Sequence, residues 1–338
     1  MLPPRLLPVL LAVCTSVAFA QEKEPPSAKD DTQAGEEKKA EDKDKPAAPV
    51  ITEHSITLKG QKIDYTATAG LLPLKDAEGK TTAEIFHIAY TKKEADPAAA
   101  TKRPLTFSFN GGPGSSSVWL HMGLLGPKRV KLQDNGFAVP PPYELVENDS
   151  CLLDETDLVF IDPVGTGYSR AAKPDENKNF HGLAEDARSV AEFIRLYVTQ
   201  NARWPSPKFL IGESYGTTRA AALSGELLHA HRMNLNGIML VSTVLNFQTI
   251  RINEGNDLPH VLYLPSYSAT AWYHQKLAPE LLKKPIEDVL KEAETFAAAD
   301  YNQALLLGSA LEPAQRAKVV KQMARLTGLS ESFIDASN

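Results

Sequence analysis

Cysteine is scarce: the 338 residues contain two, Cys14 and Cys151. Cys14 lies in an N-terminal stretch that reads as a secretory signal. Arg5 supplies the positive start, "LLPVLLAVCTSVAFA" the apolar region, and Ala18-Phe19-Ala20 a small-x-small cleavage pattern. Val13 is bulky where a lipoprotein signal would carry a small residue. Removal of residues 1–20 would leave Cys151 alone, so the mature chain is expected to fold without an internal disulfide. A chain of this size can bury enough core to do so. Long apolar runs are also lacking: after the leader none approaches the length of a membrane span. The expected location is therefore periplasmic or secreted, with no membrane association once the signal is removed. Basic excess is absent as well. The net charge is −6, which argues against nucleic acid or an anionic membrane surface as partner. No metal-ligand motif and no cofactor fingerprint occurs, so neither metal nor cofactor is expected. Asn148-Asp149-Ser150 is a formal glycosylation sequon, of the kind a chain this long carries by chance.

Residues 21–50, "QEKEPPSAKDDTQAGEEKKAEDKDKPAAPV", are charged, rich in Pro and Ala and almost free of large apolar side chains. Such a segment cannot offset its ordering entropy and is expected to be a disordered tether. From residue 51 the texture changes. "HSITLKG" and "QKIDYTATAG" alternate like paired strands with Gly60 at the turn. "AEIFHIAYTK" and "PLTFSFN" read as further strands, and "DLVFID" as one buried on both faces. "GLAEDARSVAEFIRLYVTQ" places Leu183, Ala187, Val190, Ile194, Tyr197 and Val198 on one helical face. "KFLIGE", residues 215–230 and "GIMLVST" then read as strand, helix and strand. Antiparallel strands followed by strand-helix-strand-helix-strand predict an α/β core with a largely parallel sheet over 51–254. Residues 255–338 contain helical patterns split by Pro and Gly and no convincing strand. They are expected to be a helical insertion or cap, with Ser330 as an N-cap close to the end of the chain.

Three short motifs carry the chemistry. "GESYG", Gly212 to Gly216, joins an apolar strand to a helix. In a nucleophile elbow the flanking glycines let strand and helix approach, the serine projects above the carboxyl edge of the sheet, and the helix N-terminus favours developing negative charge. The competing reading is an ordinary N-cap serine. "NGGPGSSS", Asn110 to Ser117, follows another strand. An oxyanion hole needs two backbone amides aimed where carbonyl charge develops. Tyr215, after the candidate nucleophile, would give one, and Gly112 in the earlier loop the other. A flexible Gly/Ser linker fits poorly, because Pro113 stiffens the loop. "DPVGTGYSR" ends a third strand and lacks the Lys-Ser/Thr ending of a phosphate loop.

"NGGPGSSS", "DPVGTGYS" and "GESYG", in this order and spacing, resemble the serine carboxypeptidase family of α/β-hydrolases over roughly residues 51–250. The resemblance implies a mostly parallel α/β-hydrolase sheet with a helical cap. It implies Ser214 as nucleophile, Gly112 and Tyr215 as oxyanion amides, and Asn110 with Glu213 holding the C-terminal carboxylate of a peptide substrate. Glu213 would have to be protonated to donate to that carboxylate. The chain departs from the family's pattern at Ser115, where a Cys is usual, and at Ser108, where a Trp is usual. It departs again at Leu124, where a second carboxylate is usual, and at Cys151, where a Trp is common. The losses at Ser108 and Leu124 leave acyl transfer better supported than strict release of C-terminal residues.

In this architecture an Asp and then a His follow the serine on late loops. Downstream lie Asp257, Asp288, Asp300 and Asp335, and His229, His231, His260 and His274. None follows a late core strand, so the chain is expected to be a C-terminally truncated piece without its triad Asp and His, and inactive as it stands. Three readings stay open: an exported serine carboxypeptidase, an esterase or acyltransferase on the same scaffold, and an inactive binding protein lacking the triad. Residue preference and oligomeric state are not legible.

Overall fold

Lys59 and Gly60 both take positive φ, 50° and 79°, the backbone a tight two-residue hairpin requires. They join β1 (Val50–Leu58) to β2 (Gln61–Lys75) in an antiparallel pair. The computed structural model describes residues 48–337. The expected leader, and the tether up to residue 47, lie outside the described residues. Ala48 and Pro49 precede β1, which opens at Val50.

β3 (Thr81–Lys92) extends the meander. The chain then crosses by α1 (Pro97–Lys102), whose first turn is capped by the Asp96 carboxylate accepting from the Ala98 amide at 2.9 Å, to β4 (Leu105–Phe109). α2 (Val118–Leu120) runs on as a wider π turn over His121–Leu125. β5 (Lys128–Val130) and β6 (Leu145–Glu147) pair with each other in a small separate ladder. β7 (Asp157–Ile161), the short β8 (Arg170–Ala171), α3 (Leu183–Gln200), β9 (Lys208–Glu213), α4 (Tyr215–His231) and β10 (Gly237–Val241) complete the α/β part.

The main sheet runs β1-β2-β3-β7-β4-β9-β10, with β8 beside β3. β3 meets β7 antiparallel, whereas β7, β4, β9 and β10 are mutually parallel. The carboxyl ends of β4, β7 and β9, each followed by one of the three motifs, therefore open on the same sheet edge. Strand alternation builds a core on each side. Leu105, Phe107, Phe109, Val159 and Ile161 pack under α3 and α4, while Leu158, Phe160 and Ile211 pack against Leu120, Cys151 and Leu153. Cys151 is a free, buried thiol.

The α3 face is as its periodicity predicts at Ala187, Val190, Ile194, Tyr197 and Val198, all buried. Leu183 is a correction: it is exposed. It is the first residue of the helix, where the inner face meets the polar cluster around Asp186 rather than the apolar sheet.

Beyond β10 the described chain is helical, in α5 (Leu258–Tyr273), α6 (Pro279–Leu282), α7 (Ile286–Phe296), α8 (Asn302–Leu307), α9 (Pro313–Thr327) and α10 (Glu331–Ser337). This segment has its own apolar cluster around Leu264, Leu281, Val289, Ala293 and Leu326. Glu292 ties α7 to α9 by pairing with Arg325 and, at 3.0 Å, with Lys284. Ser330 does cap α10, accepting from the Phe333 amide at 3.1 Å. Among the described residues no helix is long and apolar enough to cross a membrane.

Two histidines are buried in the sheet layers. His87 packs against Phe193 and Tyr197, and His121 stacks on Phe160 and hydrogen-bonds the Tyr90 hydroxyl at 2.7 Å. Burial lowers each imidazole from 6.5 to about 4. A depressed folded-state value means stability that is complete above about pH 6.5 and is lost as pH falls towards 4, roughly 3 kcal/mol per ring. Denaturant unfolding at pH 7 and pH 4.5 should show this loss. His87→Phe should retain about half of the two-histidine loss; an unchanged pH dependence in that variant would refute the assignment.

Candidate active site

β9 runs straight into Ser214, whose backbone lies at φ 56°, ψ −123°. A non-glycine residue held there costs on the order of 1–3 kcal/mol and persists only when its surroundings over-determine it. They do. The Ser214 amide donates to the Val241 carbonyl at 2.9 Å. The Ser214 carbonyl accepts from the Thr217 amide at 2.9 Å and the Thr217 hydroxyl at 2.7 Å. A Cβ on Gly212 would lie 2.1 Å from the Gly216 carbonyl oxygen, so the elbow closes only with glycine there.

The loop after β4 is pressed against this turn. A Cβ on Gly111 would lie 2.4 Å from the Tyr215 amide nitrogen, 2.6 Å from the Glu213 carbonyl oxygen and 2.8 Å from the Gly216 nitrogen. The close backbone contact with the elbow is made by Gly111. Gly112, at φ 107°, lines the groove in front of Ser214. Among the described residues the amides of Gly112 and Tyr215 have no acceptor.

Asn110 is fully buried with each of its side-chain polar atoms used. Its Oδ1 accepts from the Leu120 amide at 2.9 Å, and its Nδ2 donates to Glu213 Oε2 at 3.0 Å. Its carbonyl accepts from Arg219 Nη1 at 2.7 Å. Asn110, Gly112, Glu213 and Ser214 line one open groove of about 500 Å³, walled by Ser115, Trp119, Leu120, Gly123 and Leu124. The Tyr215 ring turns inward onto the Arg219 guanidinium, 5.2 Å away.

The third motif supports the second. Asp162 accepts from the Ser117 amide at 2.8 Å, and the Ser117 hydroxyl donates to the Ile161 carbonyl. A Cβ on Gly167 would lie 1.8 Å from Asp162 Oδ2, so the tight loop can close over the carboxylate only with glycine. Burial pushes the Asp162 carboxyl above its ordinary range, against the pull of the Ser117 and Tyr168 amides and of Arg170.

Sequence reasoning missed Arg219 and Asp186. Arg219 is 1% exposed, and its Nε donates to Asp186 Oδ1 and Oδ2 at 2.9 and 2.8 Å. The available signal was position: Arg219 shares the buried α4 face with Leu223 and Leu227, where a lone charge needs a buried partner. The downstream histidines are not brought in. His229 and His231 lie in the last turn of α4, about 22 to 26 Å along the helix from Ser214. His260 lines a separate cavity with Tyr301, Met323 and Phe333, and His274 is the exposed C-cap of α5. No residue among those described hydrogen-bonds the Ser214 hydroxyl, and no group of three or more His, Cys, Asp or Glu there could hold a metal.

A strand-turn-helix elbow with a strained serine at the carboxyl edge of a parallel sheet defines an α/β-hydrolase. Within that class the chain belongs to the serine carboxypeptidase family, whose family model matches residues 59–320. It is 31% identical over 150 residues to serine carboxypeptidase-like 36 of Arabidopsis thaliana, a match covering 42% of this chain and 29% of that protein. It is 29% identical over 156 residues to the pheromone-processing carboxypeptidase KEX1 of Saccharomyces cerevisiae, covering 44% of this chain and 20% of that one. The match thus spans less than a third of either relative. The crystal structure of the yeast enzyme superposes with a TM-score of 0.47 at 21% identity, over 78% of this chain and 53% of that one.

The Gly111 contact is testable. Gly111→Ala meets backbone on three sides and should destabilise by about 3 kcal/mol, as overpacking does. Gly123→Ala, with nothing within 4 Å of the added carbon, should change stability by less than about 0.5 kcal/mol. Equal unfolding midpoints for the two variants would contradict the packing described.

Proposed function

We propose that the protein is an exported serine carboxypeptidase-like hydrolase that releases C-terminal residues from peptides through an acyl-enzyme on Ser214. One observation carries the reading: the groove in front of the strained serine also contains the Asn110–Glu213 hydrogen bond. Asn110 fixes one Glu213 oxygen, and the other is left to meet the terminal carboxylate of a substrate through a shared proton. A peptide anchored there presents its last amide bond to Ser214. The Ser214 oxygen attacks that carbonyl and loses its proton to a base. The carbonyl oxygen becomes an oxyanion facing the amides of Gly112 and Tyr215. Collapse expels the terminal amino acid as its amine, which takes up a proton, and leaves the acyl group on Ser214 for water to release. None of the described histidines is placed to be the base, and the steps above are those this chain's own residues serve. Export rests on the leader pattern at residues 1–20.

The second reading, an esterase or acyltransferase, draws on Leu124. It is half exposed in the groove wall and adds apolar surface rather than charge beside the Asn110–Glu213 pair.

Two measurements test these readings. In a form that supplies the base, a fluorophosphonate probe followed by intact mass should modify the protein once, with the modification lost in Ser214→Ala. A blocked dipeptide with a free C-terminus, monitored by the fluorescence of groove-lining Trp119, should bind about 10- to 100-fold more tightly than its amide, as expected for a charge-assisted hydrogen bond. Glu213→Ala should remove that difference. Labelling without acid preference would favour the esterase or acyltransferase. Acid preference without labelling would favour a binding protein.

A further inference from the structure

The Arg219–Asp186 pair joins α4 to α3 next to Tyr215 and takes no part in the chemistry above. Its geometry goes beyond charge neutralisation. The Arg219 fork uses Nε for Asp186 and Nη1 for the Asn110 carbonyl at 2.7 Å. The guanidinium lies 5.3 Å from the Phe109 ring and 5.2 Å from the Tyr215 ring. A single buried side chain therefore touches the end of β4, the first residue of the glycine loop, the residue after Ser214, and α3.

The Asn110 carbonyl shares a peptide plane with the Gly111 amide. Holding that oxygen fixes the plane, and the Gly112 amide belongs to the next one. Between them stands Gly111, whose φ and ψ are the least restricted of any residue. Besides the clamp, the backbone here is held by Ser115 N donating to the Gly111 carbonyl at 3.1 Å. A buried ion pair kept only for stability is replaceable by apolar side chains at little or no cost. A planar fork that must reach a carboxylate and a loop carbonyl together is not, and lysine cannot reproduce it.

We propose that Arg219, oriented by Asp186, is a positioning residue: it clamps the Asn110 carbonyl to the nucleophile helix and so aims the Gly112 and Tyr215 amides at one point. The inference rests on the reading of those amides as an oxyanion hole in front of Ser214. A misplacement of about 1 Å at such a site costs roughly 10²-fold in rate.

The test uses the full chain with Arg219→Met/Asp186→Leu, which removes both charges together, and with Arg219→Lys. Three properties are read: thermal unfolding, hydrogen exchange of peptides spanning Asn110–Ser117, and the rate of fluorophosphonate labelling. The expected result is unfolding near wild type, exchange in 110–117 faster by tenfold or more with β4 and β9 unchanged, and labelling slower by about 10- to 100-fold. A folded double variant with wild-type exchange and wild-type labelling overturns the proposal. Should the double variant fail to fold, the same readouts on Arg219→Lys decide in the same sense. Should the wild-type chain not be labelled at all, labelling carries no information on the clamp, since none of the described histidines is placed to supply the base. The clamp is then judged by exchange alone, faster exchange supporting it and unchanged exchange refuting it.

Discussion

A gap too small for one carbon atom organises the carboxyl edge of this sheet. The Gly111 backbone sits where an added Cβ would be 2.4 Å from the Tyr215 nitrogen, and the Gly212–Gly216 contact is tighter still. Parallel pairing brings the strands to this point, with Phe109 opposite Gly212 in the register of β4 and β9. Beyond the last paired residues the two segments cannot diverge, because strand, loop and helix interlock through close backbone contacts, reinforced by the Arg219 and Asn110 side chains. Ser214 is left at φ 56°, and the hydrogen bonds it donates to the Val241 carbonyl and accepts from Thr217 hold it there. The strain at one residue and the close packing at its neighbours are parts of the same constraint.

Buried carboxylates stand at both edges of the parallel strands. At the amino edge Asp157 receives Arg103 at 2.9 Å and Arg203 at 2.6 Å, together with the Lys92 amide at 3.0 Å. These contacts tie the start of β7 to the segments entering β4 and β9. At the carboxyl edge Asp162 receives the Ser117 amide and Asp186 receives Arg219. Such pairs add little net stability over well-packed apolar residues, but each accepts only one arrangement of its donors. The amino edge fixes where the strands begin; the carboxyl edge fixes where their loops turn. Strand positions set at one end let the other end hold a strained turn without slipping in register.

Much of this was legible in the sequence. Alternation and continuous apolar runs marked β1 to β4, β7, β9 and β10; the runs of β4 and β7 are buried throughout, whereas Ile238, Met239 and Leu240 of β10 are exposed. The motif glycines marked the turns, since steric need for a missing Cβ is local. What stayed hidden depends on partners far along the chain. The β5–β6 pair is too short to show a period. The π turn over His121–Leu125 follows from how that segment sits on the sheet, where Leu120 and Leu125 are buried and Leu124 is not. The Arg219–Asp186 contact joins residues 33 apart on two helices, and only the charged residue on an apolar face hinted at it. The packing of Gly111 against the elbow also went unread, because sequence tells that a glycine loop is free to come close but not which of its glycines faces a neighbouring turn.

Asn148 shows how burial decides between readings of one motif. As the asparagine of Asn148-Asp149-Ser150 it matches a glycosylation sequon, yet it is 1% exposed. Its Nδ2 donates to the Leu124 carbonyl at 2.7 Å and the Gly126 carbonyl at 2.9 Å. Both amide hydrogens are committed, so attaching a sugar, which replaces one of them, would break a buried hydrogen bond and leave an unsatisfied acceptor at about 1–3 kcal/mol. Those two carbonyls belong to the turn that forms the groove wall. Asn148 therefore pins the backbone that presents Leu124 and, one turn earlier, Trp119 beside the Asn110–Glu213 pair. The wall facing the proposed carboxylate anchor is apolar by side chain and rigid by backbone, and its rigidity comes from a residue outside the groove.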